Sequence, residues 1–408
     1  MKIKRKKGNY RIIGFIAFIT WFVSMLATPY INTVFPGLSV VKNAAYVFVL
    51  LLELLVLFYR KQNMNKQYIL LLIWAFVILF STFINHASYT AYLSHILPVI
   101  VTCLALIICR NREEIMRVLD IWCVLLFALL LVDLLTEILF PKGLYRSNFY
   151  SRNWFLGYKT NRLAYTFPLL VFYSYKAIVI DGRLHRKAIL LGIVVLINIL
   201  LSAGTAGAVA VTLYVLLLVL ISRVIAKEKK SRVSMAFLNV FSKPGFFLPV
   251  YGVITLIIIF LQSQTLIQRI GLLFDKGDTL HGRLEIWERL IEALNGHWLL
   301  GLGSIDSQEY MQITGSVVNA HNIILTYIIN GGIIGLIIIM YVIISTTKRA
   351  DCMENYVISI YAFILLCIGV TSSALVFCPY FYAALLLPVL MSARRSKISI
   401  MSRNIRPT

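Results

Sequence analysis

The chain has 408 residues, 60% of them hydrophobic and 14% charged, with a net charge of +22. Soluble domains average ~45–50% apolar and ~25% charged residues, so an ordinary soluble protein is excluded. A nucleic-acid surface is not indicated either, because Lys and Arg gather in short segments between apolar runs and no basic patch interleaved with aromatics stands on a soluble domain.

In chain order, twelve apolar stretches read as membrane-spanning helices, at about 11–28, 41–59, 67–84, 92–109, 115–140, 162–180, 188–202, 205–222, 246–262, 321–345, 355–377 and 379–393. Several run ~18 residues or more with few or no charges, enough to cross a ~30 Å hydrocarbon core. A closed barrel would need alternating apolar and polar residues, and none is seen. The opening MKIKRKKGNYRIIGFIAFITWFVSMLATPY resembles a signal peptide. Its apolar run is longer than a typical signal core and lacks an A-x-A site, so it reads as an uncleaved first span. Two pairs, counted here as spans, have re-entrant or tilted segments as the alternative: 188–222, broken by SAGTAG, and 355–393, joined by FCPY. Most of the 39 basic residues lie in 1–11, 60–67, 110–117, 182–187, 223–245, 346–355 and 392–408. The positive-inside bias therefore puts those segments and both termini in the cytoplasm. The expected fold is all-α: one polytopic membrane bundle over 1–408. The six cysteines have no C-x-x-C and no metal or disulfide spacing.

Two outer segments stand out. The first, 141–161, is PKGLYRSNFYSRNWFLGYKTN, with Arg146, Arg152 and Lys159, and Arg162 just after it, beside Tyr145, Tyr150, Trp154 and Tyr158. Aromatics stack on sugar faces and arginines pair with phosphates, which suits a lipid-linked sugar phosphate; an aromatic belt with headgroup contacts gives the same pattern. The second, 263–320, is longer than a structureless connection should be. It contains GRLEIWERLIEAL at 282–294, with Ile286, Trp287, Leu290, Ile291 and Leu294 on one helical face and Glu285, Glu288, Arg289 and Glu292 largely on the other. That is an amphipathic helix, lying on the membrane or capping the bundle. Arg283, one turn before Trp287, is either an interfacial arginine or a guanidinium aimed at a phosphate. HWLLGLG at 297–303 reads as a turn back toward the membrane. His321 and Asn322 stand where the next span begins; Asn322 can satisfy a donor at the helix start or orient the imidazole. Gly331, Gly332 and Gly335 suit close helix packing. Within the spans, Glu53, Asp133 and Glu137 are carboxylates that a proton-coupled transporter could use, and Glu53 should face the bundle interior.

In order, Arg283-x-x-x-Trp287, Gly301-Leu302-Gly303, Ala320-His321-Asn322 and Gly331-Gly332-x-x-Gly335 resemble the signature of the O-antigen ligase/polymerase superfamily, which includes the Wzy-type polymerases and the lipid A-core ligases. Thr160-Asn161-Arg162-Leu163-Ala164 is similar to the family's segment after its earlier outer loop. The chain departs from the family at Ser202-Ala203-Gly204-Thr205-Ala206, where many relatives carry Ser-Arg; Arg146, Arg152 or Arg162 is left to substitute. The resemblance implies glycosyl transfer from a polyprenyl-diphosphate-linked oligosaccharide at the outer face of the bacterial cytoplasmic membrane, without metal or cofactor. It implies Arg283 and His321 as catalytic residues, with Arg146, Arg152, Arg162, Trp287 and Asn322 binding substrate. Repeat-unit polymerisation into capsule, exopolysaccharide or O-antigen is the expected activity. A ligase moving finished glycan to an acceptor is the alternative, and a transporter of polysaccharide or lipid-linked sugar a further one. Flippase and chain-length regulator proteins are the implied partners.

Overall fold

The structure is a computed structural model that describes residues 7–26, 28–147, 152–181, 186–202, 204–226, 243–259, 277–315, 319–348, 353–369, 372 and 376–403. It is all-helical. Among the described residues the helices are α1 (Lys7–Leu26), α2 (Pro29–Val34), α3 (Leu38–Tyr59), α4 (Lys66–Ile84), α5 (Tyr89–Ile107), α6 (Arg112–Leu139), α7 (Leu163–Asp181), α8 (Arg186–Leu201), α9 (Thr205–Ala226), α10 (Pro244–Ile259), α11 (Gly277–Ala293), α12 (Ser307–Thr314), α13 (Ile323–Thr347), α14 (Met353–Gly369) and α15 (Pro379–Arg403).

A helix stands in each of the twelve expected places. Six of them are long and apolar enough to cross a membrane: α3, α4, α5, α6, α7 and α13. The others are shorter, or apolar over a shorter stretch. The segment 188–222 forms two helices, α8 and α9, packed on each other across the SAGTAG turn. In the expected span 355–377 the described helix is Met353–Gly369, and residues 370, 371 and 373–375 lie outside the described residues. The backbone of a membrane helix must satisfy its own donors and acceptors, and its unpaired first N–H groups need caps. Polar side chains at the helix starts supply them: Asn65 for α4, Ser88 for α5, Asn111 for α6 and Asn322 for α13.

Burial follows from the packing order. α5 is enclosed by α3, α4 and α15, and its second half is buried almost all round. α4 packs along α13, and α6 packs against both α1 and α7. Aromatic contacts knit the layers: Trp74 of α4 meets Tyr327 of α13 and Tyr382 of α15, and Trp122 of α6 meets Phe172 of α7 and Tyr380 of α15. The outer faces are apolar as well. On α3, Val40, Val47, Phe48, Leu51, Leu55 and Phe58 are exposed, a face that lipid rather than water would cover.

Two buried ionisable side chains of this part of the bundle have polar partners inside. Glu53 is fully buried, as expected, and accepts a hydrogen bond from Thr20 Oγ1 at 3.0 Å. Arg60 bonds Glu114 at 2.7 Å at the opposite end of α3 from Leu38.

Candidate functional site at the helix-capped end of the bundle

Residues 277–315 of the long outer segment fold down onto one end of the bundle. The expected amphipathic helix is α11, and its faces divide as the sequence indicates: Ile286, Trp287, Leu290 and Leu294 are buried, while Glu285, Glu288, Arg289 and Glu292 are exposed. Of the two settings the pattern allows, it caps the bundle. Its apolar face packs with Ala87, Ile305, Tyr310, Ala320, Leu325, Ile328 and Ile329, which are protein rather than lipid. Arg289 donates to Thr314 O at 2.8 Å and pairs with Glu285, which fastens α11 to the end of α12. Residues 263–276, the first part of this segment, lie outside the described residues.

The turn HWLLGLG is wedged into a break in α13. Gly332 has φ 63° and ψ −167°, a conformation essentially reserved for glycine, and it interrupts the helix. The backbone groups freed by the break find partners in the turn: Ile333 N donates to Trp298 O at 2.9 Å, and Leu302 N donates to Ile329 O at 2.6 Å. A Cβ on Gly332 would stand 2.1 Å from Leu299 O, and one on Gly301 would stand 2.5 Å from Ile328 O, so neither position has room for a side chain. Gly331 and Gly335 do what membrane glycines are expected to do, letting α13 approach Ile78 and Trp74 of α4. Non-helical backbone at such a depth is tolerated because protein surrounds it.

The end of α4 clamps the same turn, which the sequence reading missed. Ser81 Oγ and Asn85 Nδ2 both donate to Gly301 O at 3.0 Å, and Thr82 Oγ1 accepts from Ser304 N at 2.9 Å. A cluster of Ser, Thr and Asn closing an apolar span was the available signal.

These contacts bring the two expected catalytic residues together. Trp287 is fully buried and its Nε1 donates to Ala320 O at 2.7 Å, tying the Arg283 helix to the residue before His321. His321 sits in the left-handed region at φ 50°, its N–H held by Asn319 Oδ1 at 2.9 Å; histidine tolerates that region better than most residues. Asn322 is buried and caps α13 through Leu325 N at 2.9 Å, so it acts on the helix start. Burial lowers the pKa of His321 to about 4, and the neighbouring Arg283 guanidinium adds to the effect. The imidazole is therefore neutral near pH 7. Burial also lowers the pKa of Arg283, although an arginine remains charged. A permanent cation beside a neutral imidazole can stabilise a departing anion while a proton is accepted.

The basic-aromatic segment is placed elsewhere and divides internally. Arg146 and Arg152 are exposed. Arg162 is not brought to the surface with them. It is fully buried, pairs with Glu137 and lies 3.5 Å from Asp133, under the Trp154 ring at 4.6 Å. Asn198 Nδ2 bridges the same two carboxylates at 2.9 and 2.8 Å, and Leu156 N donates to Asp133 at 2.8 Å. The Asp133 and Glu137 carboxylates thus hold this segment onto α6 and α8.

Residues 189–340 match the sequence model of the O-antigen ligase family. That stretch runs from α8 to α13 and contains all four of the ordered motifs. Over that stretch the chain is similar to the O-antigen ligase family, in line with the resemblance carried by the motifs. No curated protein matches the chain. The match supports a general enzymatic role of the glycosyltransferase-like kind, carried by a membrane-embedded helical bundle.

Proposed function

We propose that this protein polymerises polyprenyl-diphosphate-linked oligosaccharide repeat units into a surface polysaccharide at the outer face of the cytoplasmic membrane. The observation that carries the reading is the bond from Trp287 Nε1 to Ala320 O, which ties the helix of Arg283 to the residue before His321 and leaves the guanidinium close enough to act electrostatically on the imidazole. A hydroxyl of the acceptor sugar attacks the anomeric carbon of the donor glycan. The new C–O glycosidic bond forms as the bond from that carbon to the diphosphate oxygen breaks. His321, neutral at rest, takes the hydroxyl proton, and Arg283 stabilises the charge gathering on the departing lipid diphosphate. The diphosphate is already a good leaving group, which is why two side chains suffice in this scheme. Trp287 and Asn322 position the pair through Ala320 and the start of α13. Arg146 and Arg152 stand exposed for phosphate or acidic groups of the incoming glycan. Arg162 has its carboxylate partners and is given no substrate role. Both termini lie in the cytoplasm, since the basic segments between the spans are then inside.

Ligation of finished glycan to an acceptor uses the same chemistry with another nucleophile. Transport is less well supported, because Asp133 and Glu137 are held by Arg162 and Asn198. The test is reconstitution of the purified protein in lipid with a single lipid-linked repeat unit as the sole glycan. Lipid-linked chains of two and more repeats are expected. Unchanged single repeats, consumed only when a separate acceptor is added, would replace the polymerase by a ligase.

A further inference from the structure

Lys42 and His95 form a buried basic pair that the reaction scheme leaves unused. Lys42 lies in the second turn of α3 and is only 7% exposed. Its neighbours Val40 and Val41 are 72% and 53% exposed, so the helix turns the two valines outward and the lysine inward. Lys42 therefore does not reach lipid headgroups along the outside of the bundle. Among the described residues no hydrogen bond or ion pair holds its ammonium. His95, in the second turn of α5, is close enough to Lys42 to interact electrostatically. Its ring stacks on Phe377 with centroids 4.8 Å apart, and its buried Nδ1 has no partner among the described residues. Ser94 donates to Asn43 at 3.3 Å, which joins the two helices beside the pair. The pair lies toward the same end of the bundle as His321: Ser88, which caps α5, donates its N–H to Ser304 O at 3.0 Å, and Ser304 follows the turn wedged into α13.

Charged side chains within membrane bundles face the interior, pair with one another, or mark substrate paths. Among the described residues, Lys42 is interior and unpaired, and no carboxylate makes an ion pair with it. A phosphate oxygen would supply the missing countercharge through charge-assisted hydrogen bonds. We infer that Lys42 and His95 form a second phosphate-binding subsite, which holds the diphosphate of the acceptor lipid while Arg283 holds that of the donor. The inference rests on the proposed polymerase reading and narrows it: both substrates carry a lipid diphosphate.

The experiment is native mass spectrometry of the full-length protein in detergent, with undecaprenyl diphosphate as one probe and inorganic pyrophosphate as the other. The wild type should bind two lipid molecules. Lys42→Met, close in size and uncharged, should weaken one of the two events roughly ten- to a hundredfold, and Lys42→Arg should restore it. Arg283→Ala should weaken the other event and leave the Lys42-dependent one in place. A wild type that binds a single lipid, or two events untouched by Lys42→Met, would overturn the subsite. So would pyrophosphate filling the Lys42-dependent site where the lipid does not, or a Lys42-dependent loss of co-purified phosphatidylglycerol in its stead. If Lys42→Met removes one event while Arg283→Ala removes none, the subsite stands and the role given to Arg283 fails. A monodisperse elution profile shared by wild type and variants shows that the comparison is between folded proteins.

Discussion

Replacing Arg283 by alanine takes away the guanidinium that stands beside His321. Loss of one preorganised charge contact to a leaving group costs on the order of 10²–10³ in rate, and that is the fall expected in turnover of a lipid-linked repeat. The pH dependence gives a sharper prediction. The His321 pKa is held at about 4, so the basic form persists well below the usual histidine range. The acid limb of kcat/KM, which reports the free enzyme, should lie near pH 4. A bound diphosphate favours the imidazolium and raises the pKa, so the acid limb of kcat should lie higher. Arg283→Ala removes one of the two causes of the depression and should move the kcat/KM limb upward. A limb that stays put in that variant would mean that His321 is not the titrating group. Both residues were visible in the sequence as parts of separate motifs; their proximity was not, because it depends on Trp287 donating to Ala320 across 33 positions of chain. Arg162 was misleading for the same reason. In sequence it adjoins the basic-aromatic segment, while in space it belongs to Asp133 and Glu137 of the preceding helix.

At the scale of elements, the break in α13 and the turn wedged into it are one unit. Gly332→Ala would force a side chain into a conformation that costs ~1–3 kcal/mol by itself and place it 2.1 Å from Leu299 O. The expected result is a lower unfolding temperature and loss of transfer activity together, since the turn positions the segment that carries Arg283. Gly335→Ala is the matched control. Its Cβ meets Trp74 at an ordinary 3.8 Å, and the change should stay within ~0.5 kcal/mol. Comparable thermal unfolding of the two variants in detergent would argue that the break is not structurally required. Helix positions were readable from hydropathy because apolar runs of this length have few alternatives. The G-x-G and GG-x-x-G were readable only as two places needing small residues. That they meet each other could not be read, because nothing in the local sequence says which backbone fills the gap a glycine leaves.

For the whole molecule, the buried charges fasten peripheral segments to the bundle. Arg162→Leu leaves two carboxylates buried with only Asn198 and a backbone amide to answer them. Breaking a buried pair by removing one partner typically costs ~3–5 kcal/mol, so a large drop in thermal stability is expected. Changing Asp133 to Asn and Glu137 to Gln together with Arg162→Leu should recover much of it. If the single variant is as stable as the wild type, the cluster is not a fastening. The all-helical architecture was legible from composition and periodicity, whereas these fastenings join residues 25 to 65 positions apart and leave no local pattern. The central claim is that Arg283 and His321 jointly elongate a lipid-linked glycan. It is tested most directly by the chain-length distribution of the surface polysaccharide in cells whose own copy is replaced by Arg283→Ala or His321→Ala at matched membrane levels. Loss of long chains with accumulation of the lipid-linked single repeat is the predicted result; long chains at wild-type abundance in both variants would contradict it.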